Sequence, residues 1–168
     1  MTKGVGTREI RSLASHEEAA SAEGLQRLVW PGSEKDIVPS HLILALARGG
    51  GVVLGCFEGS NMIGLALGFL GSDPASPERV VMARLKHCSH VLAIHPRYLD
   101  EGVDIELKRA QRQAVLAQGI RLVTWTFDPL EGRDAHLNIR RLGGVCRRYI
   151  RGADGPMRDG LTGGPGSD

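Results

Sequence analysis

The chain has 168 residues, 42% of them hydrophobic, which is enough for one globular domain with a core and too little to favour two. A formal net charge of +2 supplies no overall attraction to nucleic acid or to an anionic membrane surface. Three scattered cysteines, Cys56, Cys88 and Cys146, argue against a disulfide framework and for a reducing, cytoplasmic setting, and neither a signal-type leader nor a run of membrane-spanning length is visible.

In chain order, "REIRSL" alternates as a first strand. "SHEEAASAEGLQRLVW" then reads as a helix, with Ser15 and Glu18 spaced as a capping box and Ala19, Ala22, Leu25, Leu28 and Val29 on one face. A second helix starts near Ser40 and stops at Gly49 to Gly51. "GVVLGCFEG" and "NMIGLALGFLG" flank a short turn and predict an antiparallel hairpin, and "GSDPASPERVVMARLK" reads as a surface loop. "HCSHVLAIHP" is a strand ended by Pro96, followed by a helix through Gln118 whose apolar stripe is Val103, Leu107, Ala110, Ala114 and Ala117. "IRLVTWTF" is a further strand, parallel to the one before the helix; a last helix near 132–142 leads into a strand "GVCRRYI". Residues 1–150 are thus expected to form one domain, and the Gly/Pro-rich tail 151–168 to pack poorly.

The stretch "AIHPRYLDEGVDIELKRAQR" carries the chemistry. A strand, a turn with one glycine and a helix N-terminus make an anion cradle, because the first amides of the helix are free and its dipole favours negative charge. This turn nevertheless holds Asp100, Glu101 and Asp104. A carboxylate about 4 Å from a phosphate oxygen repels it by roughly 1 kcal/mol in water and several times that in a partly dry turn. The same acids also satisfy the helix dipole themselves, so they compete for the site.

"LAIHPRYLDEGVDIELKRAQRQAVLAQG" resembles the acyl-CoA signature of the GCN5-related N-acetyltransferase (GNAT) superfamily, and "VTWTFDPLEGRDAHLNIRRLGG" resembles one uncharacterised branch of it. The likeness spans about residues 8 to 150. It implies an α/β (α+β) fold with a mixed, mostly antiparallel central sheet flanked by helices and a parallel β4-α3-β5 unit. It also implies an acyl-CoA-dependent N-acyltransferase with acetyl-CoA or another acyl-CoA as co-substrate and a small-molecule or peptide amine as acceptor. By the same resemblance, Leu92, Ala93 and Ile94 face pantetheine, Gly102, Val103, Asp104 and Ile105 face the pyrophosphate, and Asn138 reaches the cofactor. The turn departs from the signature: Leu99 stands where Arg or Gln is expected and Asp104 where Gly or Ala is expected. Relatives in that branch continue past "GGPGSD", which leaves a truncated acceptor side open.

Acyl transfer needs a base for the amine and an acid for the leaving thiolate. The superfamily often supplies the acid from a Tyr in the helix before the last strand, and "LNIRRLGG" has none; Tyr149 lies beyond it. Among His87, His90 and His95, His90 is the candidate base, against a half-buried, hydrogen-bonded role; alternation puts it on one strand face with Cys88 and Leu92, with His87 opposite, so no metal pair is expected. Asp128 is either the acid of an Asp-Pro turn or a contact to the acceptor amine, and Asn138 either a cofactor contact or a surface amide. The five arginines of "NIRRLGGVCRRYIR" read as a solvated edge or an anion-binding rim. A non-catalytic GNAT-fold module for binding or homodimerisation remains the alternative, and nucleic-acid binding through the arginine strand ranks last because the chain lacks a basic total and a pattern of interleaved aromatics.

Overall fold

A computed structural model describes residues 7–32, 34–74 and 77–151. Five strands form one sheet in the order β1 (Arg8–Ser12), β2 (Val52–Glu58), β3 (Asn61–Ser72), β4 (Leu85–Ile94) and β5 (Val123–Thr124). The first three pairings are antiparallel and β4 with β5 is parallel, joined through α3 (Val103–Ala117), as the sequence implies. Helices α1 (His16–Val29) and α2 (Ser40–Arg48) precede the β2–β3 hairpin, and α4 (Gly132–Ala135) continues into π-helical turns at His136–Arg141. The expected capping box forms: Ser15 Oγ accepts the Glu18 N–H and the Glu18 carboxylate accepts the Ser15 N–H, both at 3.2 Å.

Two apolar layers sandwich the sheet. On one face Ala19, Leu25 and Ile43 pack on Leu65, Leu67, Val91 and Ala93; on the other, Val103, Leu107 and Val115 of α3 pack on Cys56, Ile63, Ala66 and Ile94. Gly64 allows α3 to lie this close, because a Cβ there would stand 2.8 Å from Leu107 Cδ1 and 2.9 Å from Val103 Cγ1. The close approach of α3 brings its N-terminus beside the end of β4.

Several expectations are corrected. Leu28 is 50% exposed, and its place on α1 is taken by buried Gln26, which bonds the N–H and C=O of Val38. The apolar stripe of α3 is rotated: Gln111 and Val115 are buried while Ala117 is exposed. The expected 71–86 loop is shorter, because Leu85 and Lys86 find partners in Ser72 and Gly71. The strand expected over 120–127 shrinks to Val123–Thr124, since β5 diverges from β4 beyond Cys88↔Thr124. The final strand does not form among the described residues: 144–150 pair with no edge there, and Val145 and Tyr149 are 76% and 58% exposed. Alternation alone cannot make a strand without a partner to complete its hydrogen bonds. The tail beyond Arg151 lies outside the described residues.

Candidate active site

The divergence of β5 opens one edge of β4. His87 N–H still reaches Leu122 C=O on that side at 2.8 Å, but past Cys88 the edge is unpaired. At the other end His95 N–H bonds Ile63 C=O on β3 at 2.9 Å, so strand alternation turns the N–H groups of Ile94 and Leu92 toward the open edge. Between these ends a bulge inserts His90: Val91 pairs with Leu67 and Ser89 with Gly68, leaving His90 unmatched. The bulge corrects the expected facing. His90 lies edge-on to Phe69, ring centroids 5.9 Å apart, while Leu92 turns to the α3 face with Ile94. His90 is also exposed, and among the described residues no hydrogen bond of the kind expected for a half-buried histidine is made to it.

The turn after β4 is held from two sides by arginines the sequence reading did not assign. Arg8 of β1 ion-pairs with Glu101, donates to the Glu101 C=O at 3.0 Å and approaches Glu106 at 3.5 Å. Arg133 of α4 donates to Leu99 C=O and stands 3.7 Å from Asp100, whose side chain is 98% exposed. Tyr98 adds an anchor through its hydroxyl, which donates to Glu58 at 2.7 Å, a contact that pushes the phenol's pKa up. Gly102 is the N-cap of α3 at φ 78°, a left-handed conformation that suits glycine. Val103 is fully buried beneath the helix, so it presents only its backbone. Asp104 turns its carboxylate onto the next amide and accepts Ile105 N–H at 2.8 Å, occupying one donor of the cradle.

At the apex of the cleft lies a polar cluster that the expectations did not include. Lys108 of α3 donates to Ser89 Oγ at 2.6 Å and to Gln111 Oε1 at 3.5 Å, with Trp125 stacked 5.3 Å away at the end of β5. Ser89 in turn donates to Gln111 Oε1 at 2.9 Å. Burial drives the Lys108 pKa down to about 8 against a partial pull from Asp134, whose own carboxyl is pushed up by burial and by Glu131. His87 is fully buried beside them, and burial, then Lys108, holds its pKa down at about 4. Both His87 ring nitrogens and Gln111 Nε2 are buried without a hydrogen-bond partner among the described residues. Lys108, within a run of charged residues, reads as solvated helix face; its one sequence signal is that it borders the buried Leu107 and Gln111.

Asn138 is 5% exposed, which removes the surface-amide alternative; its C=O accepts Gly144 N–H at 2.8 Å. Asp128 forms the expected turn, its carboxylate accepting Leu130 N–H at 2.9 Å. Among the described residues no group of three or more His, Cys, Asp or Glu could hold a metal ion, and no helix is long and apolar enough to cross a membrane.

No protein-family model matches the chain, and no curated protein matches its sequence. Solved structures do match. The aminoglycoside N-acetyltransferase AAC(6')-Iy in complex with CoA is 15% identical with a TM-score of 0.67, over 89% of this chain and 95% of that one. The aminoglycoside acetyltransferase meta-AAC0020 from an uncultured soil metagenomic sample, in complex with sisomicin, is 14% identical at 0.69, over 85% and 91%. A Trypanosoma brucei acetyltransferase is 16% identical at 0.61, over 86% and 98%. At these identities the likeness defines the fold alone, which the chain shares with these acetyltransferases. In the terms of the sequence resemblance, the chain has the GNAT fold.

Proposed function

We propose that this chain is an acyl-CoA-dependent N-acyltransferase that moves an acetyl or other acyl group to the amine of a small molecule or peptide. One observation carries the reading: past Cys88 the free edge of β4 turns the N–H groups of Leu92 and Ile94 outward, and one short turn later α3 presents its N-terminal amides, with Ile105 N–H already engaged by Asp104. A pantetheine arm needs such an edge for its amides, and a pyrophosphate needs such a helix end. In this reading Leu92, Ala93 and Ile94 flank the arm, Gly102 to Ile105 face the phosphates and Asn138 closes the wall. His90, exposed at the bulge, takes the proton of the attacking amine, and Asp128 offers its carboxylate to the acceptor. The aminoglycoside acetyltransferases of the same fold support a small-molecule amine over a macromolecular acceptor. The site is expected to work in the cytoplasm, where acyl-CoA is supplied. Calorimetry with acetyl-CoA and with free CoA tests it: micromolar binding supports the reading, and no heat at millimolar ligand overturns it.

The second reading, a non-catalytic binding or dimerisation module, is favoured by Asp104 already occupying the Ile105 amide. It expects no CoA binding and a concentration-dependent dimer by sedimentation.

A further inference from the structure

Acyl transfer from a thioester requires a proton for the departing thiolate, and the π-helical segment after α4 contains no tyrosine, while Tyr149 is 58% exposed beyond it. We propose that Lys108 is the proton donor: its ammonium, held at the apex of the β4–β5 cleft by Ser89 and Gln111, meets the sulfur of coenzyme A. This assignment rests on the acyl-CoA reading above.

The geometry directs the sulfur there. From Ile94 back to Ser89 the strand covers five residues, about 17 Å at ~3.3 Å per residue, so an arm laid on that edge with its phosphates at α3 points its thiol end toward Ser89. Ser89 is the first β4 residue past the last β5 partner, and Lys108 Nζ is 2.6 Å from its hydroxyl. An ammonium has three hydrogens; Ser89 and Gln111 take two, which leaves one for a ligand. Among the described residues no carboxylate lies within 4 Å of Nζ, and a part-buried cation without a paired anion marks a place where negative charge is to arrive. The partnerless nitrogens of His87 and Gln111 at the same apex indicate a cluster built for a further polar group.

In the step itself, the amine nitrogen bonds to the thioester carbonyl carbon, and the C–S bond then breaks with its electron pair on sulfur. Lys108 passes its proton to sulfur, giving the free thiol and a neutral lysine. The proton released by the new amide nitrogen leaves through His90 to solvent, and solvent reprotonates Lys108, so amine and thioester become amide and thiol. The lowered pKa of Lys108, about 8, lies close to that of an ordinary thiol, about 8.5, as efficient proton transfer requires. The charged or titratable groups around it are neutral His87 on β4, Asp134 on α4, and Arg109, Arg112, Arg121 and Arg141 along the hollow it lines.

The test compares CoA with desulfo-CoA, which lacks the sulfur, by calorimetry on wild type, Lys108→Met and Lys108→Gln, with melting curves to show that each variant is folded. Near pH 8, where the Lys108 ammonium persists and the thiol begins to ionise, wild type is expected to favour CoA over desulfo-CoA at least tenfold, and both variants to lose that preference. The ultraviolet thiolate absorbance of bound CoA should titrate at least one pH unit lower on wild type than on either variant. An equal CoA to desulfo-CoA ratio in all three proteins, with the same thiol midpoint, overturns the assignment while leaving the acyl-CoA reading intact. If wild type binds neither ligand, the acyl-CoA reading itself fails and takes this assignment with it.

Discussion

Asp104 is the acid with most control over the cradle. Its carboxylate sits on the Ile105 amide at 2.8 Å, so a phosphate approaching α3 meets both a negative charge and a donor already in use. Asp104→Ala removes a repulsion worth about 1 kcal/mol in water and about 4 kcal/mol at an effective dielectric of 20. It also frees an N–H whose bond to a charged oxygen is worth roughly 1.5–3 kcal/mol. Allowing for partial exposure of the side chain, a gain of about 1.4–2.8 kcal/mol is expected, or ten- to a hundredfold tighter CoA binding. The helix loses a favourable N-terminal acid, so the melting temperature should drop by a few degrees for ~0.3–1 kcal/mol. Glu101→Ala should gain less, because Arg8 already neutralises Glu101, and Asp100→Ala least, because its side chain is 98% exposed and screened. Calorimetry with CoA at low and high salt measures all three, and the Asp104 gain should shrink as salt rises. Measurable wild-type binding with no gain in Asp104→Ala, or a larger gain in Asp100→Ala, would refute this account of the turn.

Three other outcomes are expected. His87 is neutral when folded, at about 4 against an ordinary 6.5, so the unfolded chain binds more protons between those values. Stability should therefore fall by up to about 3 kcal/mol as pH drops from 6.5 to 4, and His87→Gln should lose that acid limb in denaturant titrations; an unchanged pH slope would place the limb elsewhere. Lys108 acts in the same sense in a more alkaline window: with its folded pKa lowered to about 8 from 10.5, the native state sheds a proton first and stability rises with pH across that window. Lys108→Met should flatten this alkaline rise, and a retained slope would contradict the burial of the amine. Gly68→Ala would put a Cβ 2.2 Å from His87 Nε2 and 2.6 Å from the Cys88 carbonyl oxygen, and should destabilise the domain by more than the 1–3 kcal/mol usual for overpacking; a melting temperature within two degrees of wild type would show that β4 yields there.

The contrast between what was legible and what was not follows the range of the interactions. The Ser15–Glu18 box and the β2–β3 turn are local, and both form as read. The divergence of β5 is a property of two strands, and nothing within "IRLVTWTF" marks where pairing stops. The bulge at His90 carries neither Gly nor Pro, so simple alternation assigned Leu92 to the wrong face. Arg8 and Arg133 reach the turn from 93 and 34 residues away, a contact no spacing pattern reveals. Lys108 was hidden because a charged residue in a helix ordinarily faces water, and only the neighbouring strands show that this one does not.

The clasp of Arg8 and Arg133 on residues 99–101 ties the first strand and the last helix to one loop. An anion seated on that loop would be thermodynamically linked to both attachments in proportion to its preference for the arrangement in which they are made. Occupancy should therefore report on the terminal elements of the domain, protecting the amides of β1 and α4 from hydrogen exchange although neither lies on the helix that receives the ligand. Conversely, any event that frays β1 or α4 lowers apparent affinity without touching a single amide of α3. The loop in this sense acts as a keystone, whose shape is complete only when the two ends of the arch are in place.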